Sequence, residues 1–483
     1  MLFTSQEYLF FLPTVVIAFW LLPHRFRLPM LLAASYLFYM SWNPLLVLLI
    51  IGMTVFNFLC GQQIYKSEHH KKAYLTAGVT ANLLCLGYFK YANFFIDSFL
   101  KVFNLVGHQN TNFVVNIILP LGISFFVFEF LHYLVDIYRG NKPLESFTVF
   151  ALFAAFFPTQ IAGPIKRYQD FSKQMLEEKK FQLSYLDEGF PLIILGLAKK
   201  ILIANNLAAL VDMMAPTIGL YSAPELWIFS YAFAFQIYFD FSGYTDIARG
   251  SAMLFGYKIP INFKMPFIAD SMSDLWRRWH ITLTNWLRDY LLIPISGFRG
   301  SSLRFSAAIM ITMAVCGLWH GASWNFVVWG VYFGLCLVIN QHFKRWRENT
   351  LFLKSFFESK YFHALSVLLT FQAFCLGAVI FRIRDVGMDF QLVKKMLLLS
   401  HMRGTFQDHQ YILARSDFPV FVPVVLFILA ALLLSNIPIS KLQQSGRIAA
   451  LPVPIRASYL VLLVFAMLIF IPRVSTPFIY FQF

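Results

Sequence analysis

Long apolar runs alternate with short polar loops along the whole chain. After a first run at the N-terminus, these runs lie at about 30–60, 73–89, 112–137, 147–162, 190–211, 225–241, 303–319, 322–341, 361–381, 417–435 and 455–472. Each run is near the roughly 20 residues that a helix needs to cross a bilayer. Because the runs are continuously apolar and do not alternate, they indicate helices and not barrel strands. The pattern predicts an all-α polytopic membrane protein with about 11–13 transmembrane helices.

Two segments depart from this pattern. Residues 156–171 (FFPTQIAGPIKRYQDF) are apolar, but Pro158, Gly163 and Pro164 prevent a single straight helix. Residues 236–300 mix apolar and charged side chains and are too polar to face lipid. Broken backbone at membrane depth is tolerated where it is buried in protein or lines a cavity. We therefore predict re-entrant or interfacial helices here, within a single membrane domain that covers residues 1–483.

Composition and charge agree with a membrane protein and disfavour a nucleic-acid partner. Hydrophobic residues make up 59% of the chain and charged residues only 13%, against roughly 25% charged in soluble proteins. The net charge is +15, but the basic residues lie in short loops such as 24–27, 66–72 and 344–347. This distribution is typical of loops that face an anionic cytoplasmic leaflet.

His320 is the first candidate for chemistry. It lies in CGLWHGASWNFVVWG, where one apolar run ends and the next begins. Burying an imidazole beside hydrocarbon is costly unless it has a partner or a role. The small neighbours Gly317, Gly321 and Ser323 leave room for a substrate. They also suit a histidine that only packs between helices, so both interpretations stay open.

His280 is the second candidate, in DLWRRWHITLTNWLRDYLLIP. If this segment is one helix, Trp276, His280 and Thr284 share a face, with Trp279 on a neighbouring one. An interfacial amphipathic helix with aromatic and basic residues would have the same pattern. His280 and His320 lack the local spacing of a zinc motif, so we predict no metal site.

The acidic residues and the absent motifs narrow the chemistry further. Asp240 is expected to end an apolar helix just before Gly243, and Asp246 is expected to pair with Arg249. Glu129 falls within an apolar run, and we expect these acids to be mainly structural. The sequence contains no nucleophile elbow, Walker loop or dinucleotide fingerprint, which disfavours serine-hydrolase, ATPase and flavin or NAD chemistry.

Four strings resemble the membrane-bound O-acyltransferase family, in the bacterial branch typified by the alginate O-acetylation membrane protein. They are FFPTQIAGPIKR (156–167), QIYFDFSGYTDIARGSAMLFGYKIPINFKMPF (236–267), DLWRRWHITLTNWLRDYLLIPISG (274–297) and GLWHGASWNFVVWGVYFG (317–334). Residues 119–140 and 196–208 also match that branch. The resemblance implies a ring of transmembrane helices with re-entrant segments around a central tunnel.

The resemblance also implies roles for individual residues. The family's catalytic histidine corresponds to His320, which would act as a general base, and a second family position corresponds to His280. Further residues are expected to bind the substrate by shaping the pocket or by receiving the phosphates of coenzyme A: Trp276, Trp279, Trp319, Asn325, Asp240, Arg277, Arg278, Lys258 and Lys264. Two departures from the family pattern are Asn205, where relatives often carry Asp, and Glu129, where many carry Gln.

The implied activity is transfer of an acetyl group from cytoplasmic acetyl-CoA, a substrate and not a resident cofactor, to an exported polysaccharide. Members of this branch typically lie in the bacterial inner membrane, among its lipids. They typically work with a periplasmic partner transferase. Alginate, cellulose and peptidoglycan remain open as acceptors. Two alternatives from other classes are a transporter or flippase gated by His320, and a non-catalytic scaffold of an export complex.

Overall fold

The structure, a computed structural model, describes residues 1–105, 114–297, 301–398, 453–469 and 477–479. Across these ranges the regular secondary structure is helical, without a β-strand. The α-helices are α1 (Gln6–Leu21), α2 (His24–Met40), α3 (Leu46–Lys66), α4 (Lys71–Leu86), α5 (Ala92–Leu105), α6 (Ile123–Tyr138), α7 (Phe147–Ala155), α8 (Tyr168–Leu176), α9 (Leu183–Ala198), α10 (Asn205–Met214), α11 (Ala223–Met253), α12 (Met272–Arg278), α13 (Ile281–Leu287), α14 (Ile293–Ser296), α15 (Ser302–His320), α16 (Trp324–Asn349), α17 (Lys354–Phe357), α18 (Lys360–Arg382), α19 (Val386–Leu397) and α20 (Val453–Ile469).

Several of these helices are long and apolar enough to cross a membrane. Within the described residues they are Leu46–Lys66, the continuous helical stretch Leu183–Leu220, Ser302–His320, Trp324–Asn349 and Lys360–Arg382. The prediction of an all-α polytopic membrane protein is confirmed. The larger number of spans and their arrangement around a tunnel stay predictions, and the run at 417–435 lies outside the described residues.

The described chain groups into two compact units. The first contains Met1–Ile193 and Tyr244–Pro260, and the second contains Ile194–Gly243 and Ile261–Phe483. In the first unit, α3, α4 and α6 pack together and α7 packs on α2, α3 and α8. In the second, α15 packs along α16, and α18 packs against α16 and α19. The single membrane domain predicted from the sequence stays a prediction.

The first unit contains the broken segment that the prolines and glycine predict. Helix α7 ends at Ala155 and α8 begins at Tyr168, so the prediction that 156–171 is not one straight helix is confirmed. A buried ion pair ties this segment to α6, because Lys166 Nζ donates to Glu129 Oε1 at 2.7 Å. The same ammonium donates to Thr159 Oγ1 at 2.6 Å. The expectation that Glu129 has a structural role agrees with this geometry.

The segment after residue 236 differs from its prediction. Asp240 does not end a helix, because α11 continues through Asp240 and Asp246 as far as Met253. A helix tolerates buried acids when their charges are paired. Asp240 is paired with Lys200, and Asp246 with Arg249 at 3.3 Å, as expected for the second pair. The irregular backbone therefore begins only after Met253, and it leads into the short helices α12 to α14.

Candidate active site

His320 and Asn325 are placed by a tight helical hairpin in the second unit. His320 is the last residue of α15, and Asn325 is the second residue of α16. The two helices touch backbone to backbone. A Cβ atom on Gly317 would lie 2.0 Å from the carbonyl oxygen of Phe326, and one on Gly330 would lie 2.1 Å from that of Met313. Glycine at both positions is therefore what allows the hairpin to bury His320 and Asn325 at its closed end.

Aromatic rings surround the imidazole of His320. The ring centroids of Trp319, Trp329 and Phe381 lie 4.8, 5.0 and 5.4 Å from it, and each ring is tilted by 70° or more. The histidine is only 6% exposed. Edge-to-face packing of this kind fixes the orientation of the imidazole and keeps bulk water away from it. The imidazole of His320 therefore lies in a buried, largely apolar environment.

His280 lies at a break between two helices, and not within one. Helix α12 ends at Arg278, Trp279 is extended, and His280 has φ 41° and ψ 54°. The expectation that Trp276, His280 and Thr284 share a helix face is therefore wrong. Within the described residues, Met265 is the other non-glycine residue with positive φ. Such strained backbone persists only where its surroundings hold it, and it is frequent at functional sites.

Asn262 is the residue that holds this break, and the sequence did not single it out. Its carbonyl accepts the N–H of Ile281 at 3.0 Å. Its side-chain oxygen accepts from the hydroxyl of Thr282 at 2.7 Å and from the N–H of the same residue at 3.3 Å. Three hydrogen bonds from one buried residue thus brace the chain just after His280. The only signal in the sequence is a lone amide in the irregular segment YKIPINFKMPF.

Trp319 connects the two histidines. Its ring centroid lies 4.8 Å from that of His320 and 6.1 Å from that of His280. On its other side, His280 meets the ring of Phe241 edge-on at 4.7 Å. Two histidines that are forty positions apart in the sequence are therefore brought to one aromatic cluster.

Trp276, Trp279 and Asn325 extend the same cluster. Trp276 packs 6.0 Å from Trp329, and Trp279 packs 4.9 Å from Phe374. The side-chain amide of Asn325 donates to the carbonyls of Ile380 and Ile383 at 3.4 and 3.5 Å. Within the described chain, the indole N–H of Trp276 and the amide oxygen of Asn325 are buried without a hydrogen-bond partner. A buried donor or acceptor of this kind is costly unless something binds it.

The predicted phosphate-binding residues are found partly together. Arg277 and Arg278 both pair with Asp274, at 3.3 and 2.6 Å, and the Arg277 side chain is 72% exposed. The backbone N–H of Lys264 donates to the carbonyl of Arg278 at 2.9 Å, so these three cations lie on adjoining backbone. Lys258 belongs to the other compact unit. It lines a polar cavity of about 510 Å³ there, together with Gln174, Lys179 and Tyr185 among others.

Asp240 has protein partners that a substrate would have to displace. Its carboxylate accepts from Lys200 Nζ and from the backbone N–H of Ile479. That it binds substrate stays a prediction. Among the described residues, no three His, Cys, Asp or Glu side chains are placed to hold a metal ion.

Asp389 on α19 is a buried acid that sequence reasoning missed. It is 2% exposed, and within the described chain neither of its carboxylate oxygens has a hydrogen-bond partner. Burial, with a smaller contribution from Asp385, raises the pKa of Asp389 to about 8. The folded protein therefore keeps this carboxyl protonated at neutral pH. Its sequence context, DVGMDFQLVKK, is that of an ordinary amphipathic helix and contains no warning of burial.

The raised pKa of Asp389 predicts a pH-dependent effect of Asp389→Asn. An unfolded Asp titrates near 3.9, so between about pH 4 and pH 8 only the unfolded state loses the proton. The stability of the wild type therefore falls across this window, whereas asparagine does not titrate. We expect the melting temperature of Asp389→Asn relative to wild type to rise steadily from pH 5 to pH 8 and to level off above. A difference in melting temperature that stays constant from pH 5 to pH 8 would contradict the prediction.

Comparison with known proteins places this site in a family. Residues 31–379 match the sequence profile of the membrane-bound O-acyltransferase family. The chain is 37% identical to a probable alginate O-acetylase of Pseudomonas aeruginosa, over 84% of this chain and 76% of the relative. A probable alginate O-acetylase of Azotobacter vinelandii is 40% identical, over 71% and 69%. A peptidoglycan O-acetyltransferase of Helicobacter pylori is 32% identical, over 83% and 80%.

The family match covers the candidate-site residues up to residue 379, and Ile380, Phe381, Ile383 and Asp389 lie beyond it. Among the alternatives that the sequence left open, the matches favour an acyltransferase over a transporter or a scaffold, because the family and these relatives are named for acyl transfer. The chain therefore belongs to the membrane-bound O-acyltransferase family, and it is a multi-pass membrane acyltransferase.

Proposed function

We propose that this enzyme takes an acetyl group from cytoplasmic acetyl-CoA and passes it across the bacterial inner membrane. The acetyl group then becomes an O-acetyl ester on an exported or cell-envelope polysaccharide, with the help of a periplasmic partner protein. The observation that carries the proposal is the buried aromatic cluster in which Trp319 contacts both His280 and His320. Such a cluster holds a basic nitrogen where bulk water is scarce, as acyl transfer from a thioester requires.

The proposed reaction converts a thioester and an alcohol into an ester and a thiol. His320 takes the proton of the acceptor hydroxyl as its oxygen attacks the thioester carbonyl, because neutral imidazole is a suitable base near pH 7. The tetrahedral intermediate collapses, the carbon–sulfur bond breaks, and the proton passes from His320 to the departing thiolate. His280 and the indole N–H of Trp276 are the proposed donors to the oxyanion, which forms in a buried site where such bonds are strongest.

The donor's phosphates have a proposed binding site nearby along the chain. Arg277, Arg278 and Lys264 lie on adjoining backbone next to His280, and Arg277 extends into solvent. Guanidinium groups bind phosphate through paired hydrogen bonds. We therefore assign the phosphates of coenzyme A to this cluster.

The acceptor class rests on the relatives. Alginate and peptidoglycan are both named for proteins that this chain resembles, and both are polysaccharides outside the cytoplasmic membrane. The shared chemistry is a sugar hydroxyl that accepts an acetyl group. A hydroxyl on the far side of the membrane from acetyl-CoA needs the acetyl group to cross, which is why a periplasmic partner belongs to the proposal.

Reconstitution in liposomes tests the proposed function. The purified protein would be given acetyl-CoA labelled in the acetyl group, with de-acetylated alginate oligosaccharides or peptidoglycan fragments and a periplasmic extract as acceptors. We expect release of free coenzyme A and alkali-labile label on the carbohydrate. Accumulation of intact acetyl-CoA in the lumen would indicate transport instead. No release with any acceptor would overturn the proposal.

A further inference from the structure

Lys200 and Asp240 form an ion pair that is buried in the second unit. Lys200 lies in the π-helical turn Lys199–Ala204, and Asp240 lies on α11. Their side chains are only 1% and 4% exposed, and the ammonium donates to Asp240 Oδ1. Taking two charges out of water is costly, and the cost is recovered only if further hydrogen bonds satisfy both groups. The groups that make these further hydrogen bonds therefore indicate the role of the pair.

Those further bonds come from one short segment of the chain, residues 477–479, which we call the docked segment. Lys200 Nζ donates to the carbonyl of Pro477 at 3.2 Å, and the N–H of Ile479 donates to Asp240 Oδ2 at 2.8 Å. Between these bonds, the ring centroid of Phe478 lies 4.8 Å from the ammonium. Phe478 and Ile479 are 1% and 4% exposed. The ion pair thus binds a carbonyl, an N–H and an aromatic ring of three consecutive residues.

This binding site is next to the proposed catalytic cluster on the same helix. Asp240 is followed on α11 by Phe241, whose ring meets His280 edge-on at 4.7 Å and 89°. We infer that Lys200 and Asp240 are positioning residues: by binding the docked segment they fix α11 at Phe241, and Phe241 fixes the imidazole of His280. This inference rests on the proposed acyl transfer. In this inference Asp240 binds the docked segment and does not bind the acyl donor.

The test uses two variants of the full-length protein. The first is Lys200→Met with Asp240→Leu, which removes the polar site without leaving a buried charge unpaired. The second is Phe478→Ala, which removes the ring and keeps the ion pair. The matched control is Asp212→Ala, since Asp212 pairs with Arg382 at 2.8 Å in the same unit but is exposed. Gel filtration and thermal unfolding report whether each variant is folded.

Two measurements on these variants carry the test. Hydrogen exchange of the peptide that contains the docked segment should speed up in both variants and not in the control, because the Ile479 N–H loses its burial. The kcat for acetyl transfer should fall about tenfold to hundredfold, as for displaced catalytic groups, with the KM for acetyl-CoA unchanged. Adding Phe241→Ala should lower kcat by a smaller factor in the first variant than in the wild type, because both changes release the same imidazole.

The outcomes distinguish a failure of the positioning role from a failure of the proposed function. An inactive wild type overturns the proposed function and the positioning role together, whatever the exchange rates are. An active wild type with unchanged kcat in both variants overturns the positioning role alone. Unchanged hydrogen exchange overturns the docking of residues 477–479. Additive losses with Phe241→Ala, or an equal loss in Asp212→Ala, show a general loss of stability and overturn the inference.

Discussion

Replacing His320 by alanine is expected to lower the rate of acetyl transfer by about 10²–10⁴-fold, the usual contribution of a general base. We assign to this imidazole, which lies in the aromatic cluster of the hairpin, the removal of the proton from the acceptor hydroxyl. Loss of the imidazole leaves Trp319, Trp329 and Phe381 around an apolar gap that cannot accept a proton. The measurement is release of coenzyme A by protein in liposomes, with wild type and variant at equal folded concentration.

Two further variants separate the chemistry of His320 from its packing. His320→Gln keeps a polar side chain of similar length without a useful base, so it should be nearly as slow as alanine. His342→Ala is the matched control, because His342 lies on the same hairpin but is exposed and contacts Ser306 at 3.4 Å. We expect it to stay within about twofold of wild type, as surface substitutions usually do. An active His320→Gln would refute the general-base role.

The transmembrane helices near the site could be predicted from the sequence because a single physical requirement sets their positions. A helix that faces lipid must be apolar along its length, so the run at 303–319 became α15 and the run at 361–381 became α18, each within one or two residues at either end. The polar interruption around His320 marked the end of α15 for the same reason. Local composition is therefore sufficient to predict a helix where contact with lipid requires apolar residues.

The backbone around His280 could not be predicted in this way. Every residue from Trp276 to Trp286 suits a helix by local pattern, and the break comes from hydrogen bonds to Asn262, eighteen positions before His280. The continuation of α11 past Asp240 has a similar cause. Its carboxylate is satisfied by Lys200 and Ile479, which are distant in the sequence. Where a polar residue is buried, its partner determines the local structure, and a single sequence does not reveal that partner.

Lys166, in the broken segment, also has a partner that the sequence does not indicate. In the structure its ammonium is 1% exposed and bonded to Glu129, which is 7% exposed. The rings of Phe153 and Phe171 lie 5.3 and 5.5 Å from the ammonium, so no water replaces a lost partner easily. The pair joins α6 to the segment between Ala155 and Tyr168, which forms no regular helix.

Lys166→Met is therefore expected to lower the free energy of unfolding by about 3–5 kcal/mol, because it leaves the Glu129 carboxylate buried without its counter-charge. Combining it with Glu129→Gln should recover most of that loss, since no charge then remains in the interior. Lys101→Met, at the exposed pair with Asp97, should cost less than about 1 kcal/mol. Unfolding of the purified protein by denaturing detergent measures all three.

The double variant is the informative member of this set. If the pair matters only for its buried charge, the double variant is stable and transfers acetyl groups at close to the wild-type rate. If the charges themselves hold the broken segment in its functional shape, the double variant is stable and slow, because two neutral side chains bind Thr159 and α6 less strongly. A double variant as unstable as Lys166→Met would show that neither charge was the cause, and would contradict the prediction.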